Sequence, residues 1–299
     1  MGANWCSPTE TINHADTNRK IQPKAKHGAE NLEPDELLFN EENITTDVIE
    51  SDLYSEFSEN MEDTDNNEDG EETDWDNYAN DVTFDRKGVT KNMFKQELID
   101  EALELASDEL KKLWLEKGPL QIKQKDVPEE IDPDEIEFKH IQVKNDEGDA
   151  YIGEFRKGTT IREGRGILIS HENYMYEGFW IDDVKFGFGR MIVFNGNVYQ
   201  GEWNNDKSEG RGLYCTDNQM IYKGDWKENK CHGTGVELYN DGSKFMGKFK
   251  NGEKNGKGFF KWIDGRQYKG YFKGGLMDGL GDLTWPDGRS YSGEWKENK

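Results

Sequence analysis

The stretch YQGEWNNDKSEGRGLYCTDNQMI, residues 199–221, is followed at once by YKGDWKENKCHGTGVELYNDGSK, residues 222–244, and the two align without a gap. Tyr199 corresponds to Tyr222, Gly201 to Gly224, Trp203 to Trp226, and the pair Gly210/Gly212 to Gly233/Gly235. The same frame returns every 23 residues, at Phe245, Tyr268 and Tyr291 going forward and at Tyr176 going back. An earlier copy, lengthened by two residues, opens at Tyr151. Self-similarity at one fixed period marks a repeat architecture, in which each unit buries its apolar face against the next.

The residue order within a unit dictates a strand. Side chains on a strand alternate between faces, so Tyr199, Gly201 and Trp203 share one face and Glu202 points away. The corresponding sets are Tyr176, Gly178 and Trp180; Tyr222, Gly224 and Trp226; and Tyr268, Gly270 and Phe272. In the second half of the unit Gly210 and Gly212 share parity with Tyr214, which places both glycines and the tyrosine inward. The matching positions are Leu168, Met191, Glu237, Phe260 and Leu283, with Glu237 the polar exception. Inward glycines leave room for an aromatic ring to lie on the neighbouring backbone. Asn195-Gly196, Asp241-Gly242, Asp264-Gly265 and Asp287-Gly288 supply tight turns between units. One hairpin is not stable alone. The expected fold is therefore mainly β: an elongated, twisted antiparallel meander over residues 136–299, with units starting near 151, 176, 199, 222, 245, 268 and 291. Phe138–Val143 supplies a first strand ahead of Tyr151 that caps the array, and Tyr291–Trp295 is an edge strand to be covered by a partner, a second copy or the helical segment.

These residues resemble the MORN repeat family, whose units read roughly Y-x-G-x-[WF], six residues, then G-x-G with an Asp-Gly turn. The resemblance covers about residues 138–299. It departs from the family pattern in the longer first turn and at Phe245, where tyrosine is usual. It implies a β-meander solenoid used for protein–protein and membrane-proximal attachment, as in junctophilins, radial spoke head proteins and phosphatidylinositol phosphate kinases.

Outside the repeats the polymer changes. Residues 1–150 hold 41 acidic and 15 basic side chains, whereas residues 151–299 hold 21 and 23. Residues 27–85 carry 22 Asp/Glu and no Lys or Arg, a composition that repels itself and offsets too little ordering entropy to pack, so residues 27–90 are expected to be disordered. Within that tract Asp65, Asn67, Asp69 and Asp76, with Gly70 at the sixth place, resemble an EF-hand calcium loop. Glu72 and an aspartate at the twelfth place depart from that pattern, and a solvated acidic tract is the simpler reading. Across residues 91–135, Phe94, Leu98, Ala102, Leu105, Leu110 and Leu113-Trp114 recur at helical spacing until Gly118-Pro119. One helix broken near Ser107-Asp108 is expected, either packed on the array or presented to a partner.

The extreme N-terminus, residues 1–26, reads as an acylated basic segment. Met1-Gly2-Ala3-Asn4-Trp5-Cys6-Ser7 resembles an N-myristoylation signal, with Cys6 where Ser or Thr is usual. Stable anchoring needs two signals; Cys6 as a palmitate acceptor, or Arg19, Lys20, Lys24 and Lys26 against anionic lipid, would supply the second.

Chemistry is sparse. Cys6, Cys215 and Cys231 form no CxxC pair, so neither a disulfide framework nor a zinc site is expected, and the compartment reads as reducing and cytoplasmic. His232 beside Cys231 occupies a slot that elsewhere holds Glu163, Phe186, Glu209, Asn255 and Asp278, as a turn position would. No phosphate-binding loop, membrane-spanning run or overall basic character is present in the sequence. Nucleic acid, cofactors and small-molecule substrates are thus not expected as ligands. The expected function is a non-catalytic scaffold or tether that attaches protein partners to a membrane or a large assembly. A structural subunit of a ciliary or cytoskeletal complex and a calcium-responsive adaptor are the alternatives, with lipid recognition by Lys244, Lys248, Lys250 and Lys254 ranked last.

Overall fold

The computed structural model describes residues 91–144 and 148–299, with the backbone alone for residues 140–144. All described residues belong to one compact unit. Its first elements are β1 (Lys91–Asn92), α1 (Gln96–Leu105), α2 (Asp108–Lys117), β2 (Gln121–Ile122) and a 3-10 turn (Gln124–Asp126). Fourteen strands follow: β3 (Ile136–Lys144), β4 (Ala150–Arg156), β5 (Arg162–Ser170), β6 (Tyr174–Ile181), β7 (Val184–Val193), β8 (Val198–Asn204), β9 (Lys207–Cys215), β10 (Ile221–Lys227), β11 (Lys230–Leu238), β12 (Lys244–Lys250), β13 (Glu253–Lys261), β14 (Gln267–Lys273), β15 (Leu276–Thr284) and β16 (Ser290–Trp295). They form one sheet in chain order, every neighbouring pair antiparallel, so the fold is the expected meander and does not close into a barrel.

The register explains the repeat. Gly153, Gly166, Gly178, Gly189, Gly201, Gly212, Gly224, Gly235, Gly247, Gly258, Gly270, Gly281 and Gly293 stand opposite one another in an unbroken row from β4 to β16. The row is a trough one atom deep, and the tyrosine rings lie in it. A Cβ on Gly212 would sit 2.5 Å from the Tyr199 hydroxyl oxygen, too near for any side chain.

The first glycine of each G-x-G pair does something else. Gly210 has φ +63°, and a Cβ there would meet the carboxylate of Glu202, on the side away from the tyrosines. The expectation that both glycines face inward therefore fails. The first one is the bulge residue at the register shift that follows Gly201 on β8, and strand parity does not hold across a bulge.

Two turn types alternate. Turns such as Glu228-Asn229 place both central residues at positive φ, 51° and 64°. Loops such as residues 263–265 end on a glycine at φ +85°. The two-residue turns also clamp neighbouring units. Asn229 N–H donates to Ser208 O at 3.1 Å, while its side-chain oxygen accepts from Ser208 N–H at 2.7 Å. Asp183, Asp206 and Asn298 make the same two-way clamp on Arg162, Lys185 and Met277.

The helical segment is two helices, not one helix with a fault. Ala106 is extended, and the Ser107 hydroxyl accepts from Leu110 N–H at 3.3 Å to cap α2. Ile99, Ala102, Leu103, Leu110 and Trp114 pack on Ile152, Ile167, Met175, Phe179, Ile192 and Val198, the sheet face opposite the tyrosines. A buried ion pair pins this docking. Arg190 Nε donates to Glu177 at 2.7 Å, and its Nη2 donates to the carbonyl of Gly118 at the end of α2, at 2.5 Å.

Candidate partner-binding surface

The repeat-core residues come together as one aromatic ladder. Each tyrosine hydroxyl donates to the carbonyl three residues on: Tyr176 to Phe179 at 3.2 Å, Tyr199 to Glu202 at 2.9 Å, Tyr222 to Asp225 at 2.8 Å and Tyr268 to Tyr271 at 3.0 Å. Each tryptophan reaches back one unit. Trp180, Trp203 and Trp226 donate Nε1–H to the carbonyls of Gly166, Gly189 and Gly212 at 3.4, 3.2 and 3.2 Å. Edge-to-face contacts link the rungs, as in Tyr176–Trp203 at 5.2 Å and Tyr199–Trp226 at 5.0 Å. Such pairs are worth about 0.5–1.5 kcal/mol each beyond area burial. Tyr268, with the next unit's Trp295 against it, is fully buried, while Tyr291 is 45% exposed. Burial raises the hydroxyls of Tyr151, Tyr176, Tyr199 and Tyr268 well above the ordinary tyrosine range.

The slot opposite the second aromatic, at the start of the second strand, holds a cation in three of six units, Arg162, Lys185 and Lys254, and Ser208, Cys231 and Met277 in the others. Arg162 lies over Trp180 at 4.1 Å. Lys185 Nζ stands within 5.9 Å of Tyr174, Tyr176, Trp180 and Trp203, with Asp206 at 3.4 Å. Burial, opposed by Asp206, lowers its ammonium below the usual lysine range. Lys254 fills the slot between Phe245 and Tyr239, paired with the Glu237 carboxylate, which also accepts from the Tyr239 hydroxyl. Two sequence expectations change here. Glu237 is inward and buried because it neutralises Lys254, and Lys254 is therefore spent inside the ladder rather than offered to lipid. Lys250 is exposed at a strand end, and Lys244 and Lys248 lie on the opposite face.

That opposite face has two chemistries. Over β4 to β8 it is apolar beneath α1 and α2. From β11 to β14 each strand gives it three residues: Thr234, Val236 and Leu238; Lys244, Met246 and Lys248; Lys257, Phe259 and Lys261; and Gln267, Lys269 and Tyr271. A cleft between the α1–α2 junction and β5 holds one polar cluster: Asp149 Oδ1 lies 2.7 Å from His171 Nδ1 and accepts from Ser170 Oγ at 3.0 Å. The serine thus bonds the aspartate rather than the histidine. Cys231 is buried in the ladder core. Among the described residues no group of three or more His, Cys, Asp or Glu side chains is placed to hold a metal ion. Nor is any helix among them long and apolar enough to cross a membrane. The calcium candidates Asp65, Asn67, Asp69 and Asp76 and the lipidation candidates Gly2 and Cys6 lie outside the described residues.

A one-layer meander whose hairpins are fused by shared rings, paired glycines and clamped turns defines the class: a repeat-built β-sheet binding module. Residues 176–198, 199–220, 222–244, 245–265 and 268–288 each match the MORN repeat, five in succession, and the chain is a MORN-repeat protein. MORN repeats are modules for binding protein or membrane. The hairpin from Tyr151 lies outside those matches yet makes the same hydroxyl bond, Tyr151 to Glu154 O at 3.1 Å. Among solved structures the chain is similar to the TCP10 domain of Danio rerio CPAP, with 14% identity and a TM-score of 0.30, over 50% of this chain and 68% of that one. It is also similar to the SAS-4 (dCPAP) TCP domain of Drosophila melanogaster, solved with a proline-rich motif of Ana2, with 10% identity and a TM-score of 0.23, over 51% and 88%. Likenesses at this level carry no argument about function. No curated protein matches the chain.

Proposed function

We propose that this protein is a non-catalytic scaffold that holds partner proteins on its repeat sheet and tethers them to a membrane through its N-terminus. The observation that carries the reading is the continuity of the sheet. Fourteen strands hydrogen-bonded in chain order present one uninterrupted surface, and the buried ionisable side chains of the ladder are committed to neighbouring units. Such a surface suits extended contact with a macromolecule better than enclosure of a small substrate. On this reading the protein is cytoplasmic, at the inner face of a membrane, with Gly2 myristoylated and Cys6 or the basic residues that follow as the second anchor.

Intact-mass measurement of protein from its own host, with fractionation of a Gly2→Ala chain, tests the tether. A myristoyl mass that disappears with Gly2, together with release from membranes, is the expected result. Unchanged membrane association would remove the tether from the reading, and failure of the repeat sheet to retain any partner in co-precipitation would remove the scaffold.

A further inference from the structure

Twelve neighbouring positions on the face opposite the aromatic ladder, three on each of β11 to β14, carry five lysines and no aspartate or glutamate. Strands spaced about 4.8 Å apart and residues rising about 3.4 Å each make this a patch about 14 Å on a side. Lys244 stands directly opposite Lys261 across the β12–β13 pair, and Lys248 and Lys257 are the chain neighbours of the paired Gly247 and Gly258. Like charges directly opposite in an antiparallel pair are destabilising. Around the patch the same face pairs opposite charges: Arg211 with Asp225, and Lys269 across from Asp282. Lys269 completes the group; burial holds its ammonium below the usual lysine range, against the pull of Asp282 and with the push of Lys257.

We propose that this lysine patch is the docking site for an acidic, extended segment of a partner protein. The inference rests on the scaffold reading and names the chemistry of the partner. The geometry favours a polypeptide over the other polyanions. Lys244 and Lys248 lie four residues apart on one strand, as do Lys257 and Lys261 on the next, a separation of about 14 Å. Carboxylates four residues apart on an extended peptide have the same spacing. Val236, Met246 and Phe259 are buried and Leu238 is half-buried, so the patch has no fully exposed apolar side chain to enter a bilayer, from which surface-bound elements draw much of their affinity. Of its two aromatic rings Phe259 is buried and Tyr271 lies beneath Lys257 at 5.7 Å, which leaves no row of rings for stacking bases.

Fluorescence anisotropy with the full-length chain and a labelled peptide carrying glutamate at every fourth position tests this. Binding should weaken steeply with salt and fall by about tenfold or more in Lys244→Glu/Lys261→Glu, while Lys250→Glu/Lys273→Glu, at exposed strand ends, should bind as the parent does. Lys244→Gln/Lys261→Gln guards against misfolding: it should also weaken binding, yet melt no lower than the parent, because it relieves the opposed charges. Equal binding by all four chains would overturn the proposal. So would capture of phosphatidylserine vesicles or single-stranded DNA with the same lysine dependence but no peptide binding. Carbodiimide cross-links joining these lysines to residues 27–85 of the same molecule, with no peptide binding, would overturn it too. If Lys244→Gln/Lys261→Gln fails to bind the peptide but still co-precipitates the cellular partners, the scaffold stands and its partners dock elsewhere, which overturns the patch as their site.

Discussion

Gly212→Ala isolates the contact on which the repeat depends. The new Cβ would lie 2.5, 2.6 and 2.7 Å from Oη, Cε2 and Cζ of Tyr199, so the ring must leave the trough. In leaving it gives up the 2.9 Å bond to Glu202 O and its edge-to-face contacts with Trp203 at 5.1 Å and Trp226 at 5.0 Å. Overpacking costs about 1–3 kcal/mol, the hydrogen bond about 1 kcal/mol, and each ring contact about 0.5–1.5 kcal/mol. The lower unfolded-state entropy of alanine returns about 0.4–1 kcal/mol. The net expectation is a loss of about 4 kcal/mol, read from urea unfolding followed by tryptophan fluorescence. Gly210→Ala is the contrast. There the cost is the positive φ, about 1–2 kcal/mol, and the neighbour is the movable end of Glu202. In a Tyr199→Leu background, where no ring fills the trough, Gly212→Ala should cost about 1 kcal/mol or less. Equal losses at Gly210 and Gly212, or an undiminished loss in the Tyr199→Leu background, would refute the trough argument.

Four further outcomes are expected. Glu237→Ala, which strands the Lys254 ammonium among aromatic rings, should cost about 3–5 kcal/mol in urea unfolding, and Glu237→Met/Lys254→Met should recover most of that loss. Gly275→Asn, at φ +80° in a turn that has only the backbone half of the clamp on Lys254, should add about 0.5–1.5 kcal/mol by supplying the missing acceptor, seen as a higher melting temperature. Glu177→Ala leaves Arg190 buried without its carboxylate, so amide exchange in α2 should accelerate before that of β12 to β15 does. Stability should fall above about pH 10, because Tyr151, Tyr174, Tyr176, Tyr199, Tyr239 and Tyr268 hold their protons above the tyrosine range through burial, whereas the unfolded chain releases them near pH 10. The loss is about 1.4 kcal/mol per pH unit for each of the deeply buried Tyr151, Tyr176 and Tyr199 and less for the others, opposed by Lys185 and Lys269, whose folded ammonium groups deprotonate early; stepwise tyrosinate absorbance near pH 10 without unfolding would contradict it.

How much of this was legible follows from which physical rule each feature obeys. The meander, its period and the inward tyrosine–glycine–tryptophan set obey strand alternation, a local rule, so the residues from Tyr199 to Trp203 declare their face unaided. The two glycines of G-x-G look identical to that rule and are not, because a bulge lies between the pairing of Gly201 and that of Trp203. The helix break was visible at Ser107-Asp108, but not that Ala106 would be extended and Ser107 would cap a second helix. The partnership of Glu237 with Lys254 had no parity signal, because the bulge at Gly256 separates Lys254 from the inward Gly258 and Phe260. The lysine patch had none either. Lys244, Lys248, Lys257, Lys261 and Lys269 are spread over 26 residues and become one surface only when cross-strand register is fixed. Register here is set by the paired glycines, because a tyrosine ring finds room only where Gly meets Gly. The ladder on one face therefore dictates which charges meet on the other: if Gly247 and Gly258 slipped by one position, Lys244 would no longer oppose Lys261. Removing ring contacts from the ladder should thus weaken polyanion binding on a face that no aromatic ring of the ladder touches.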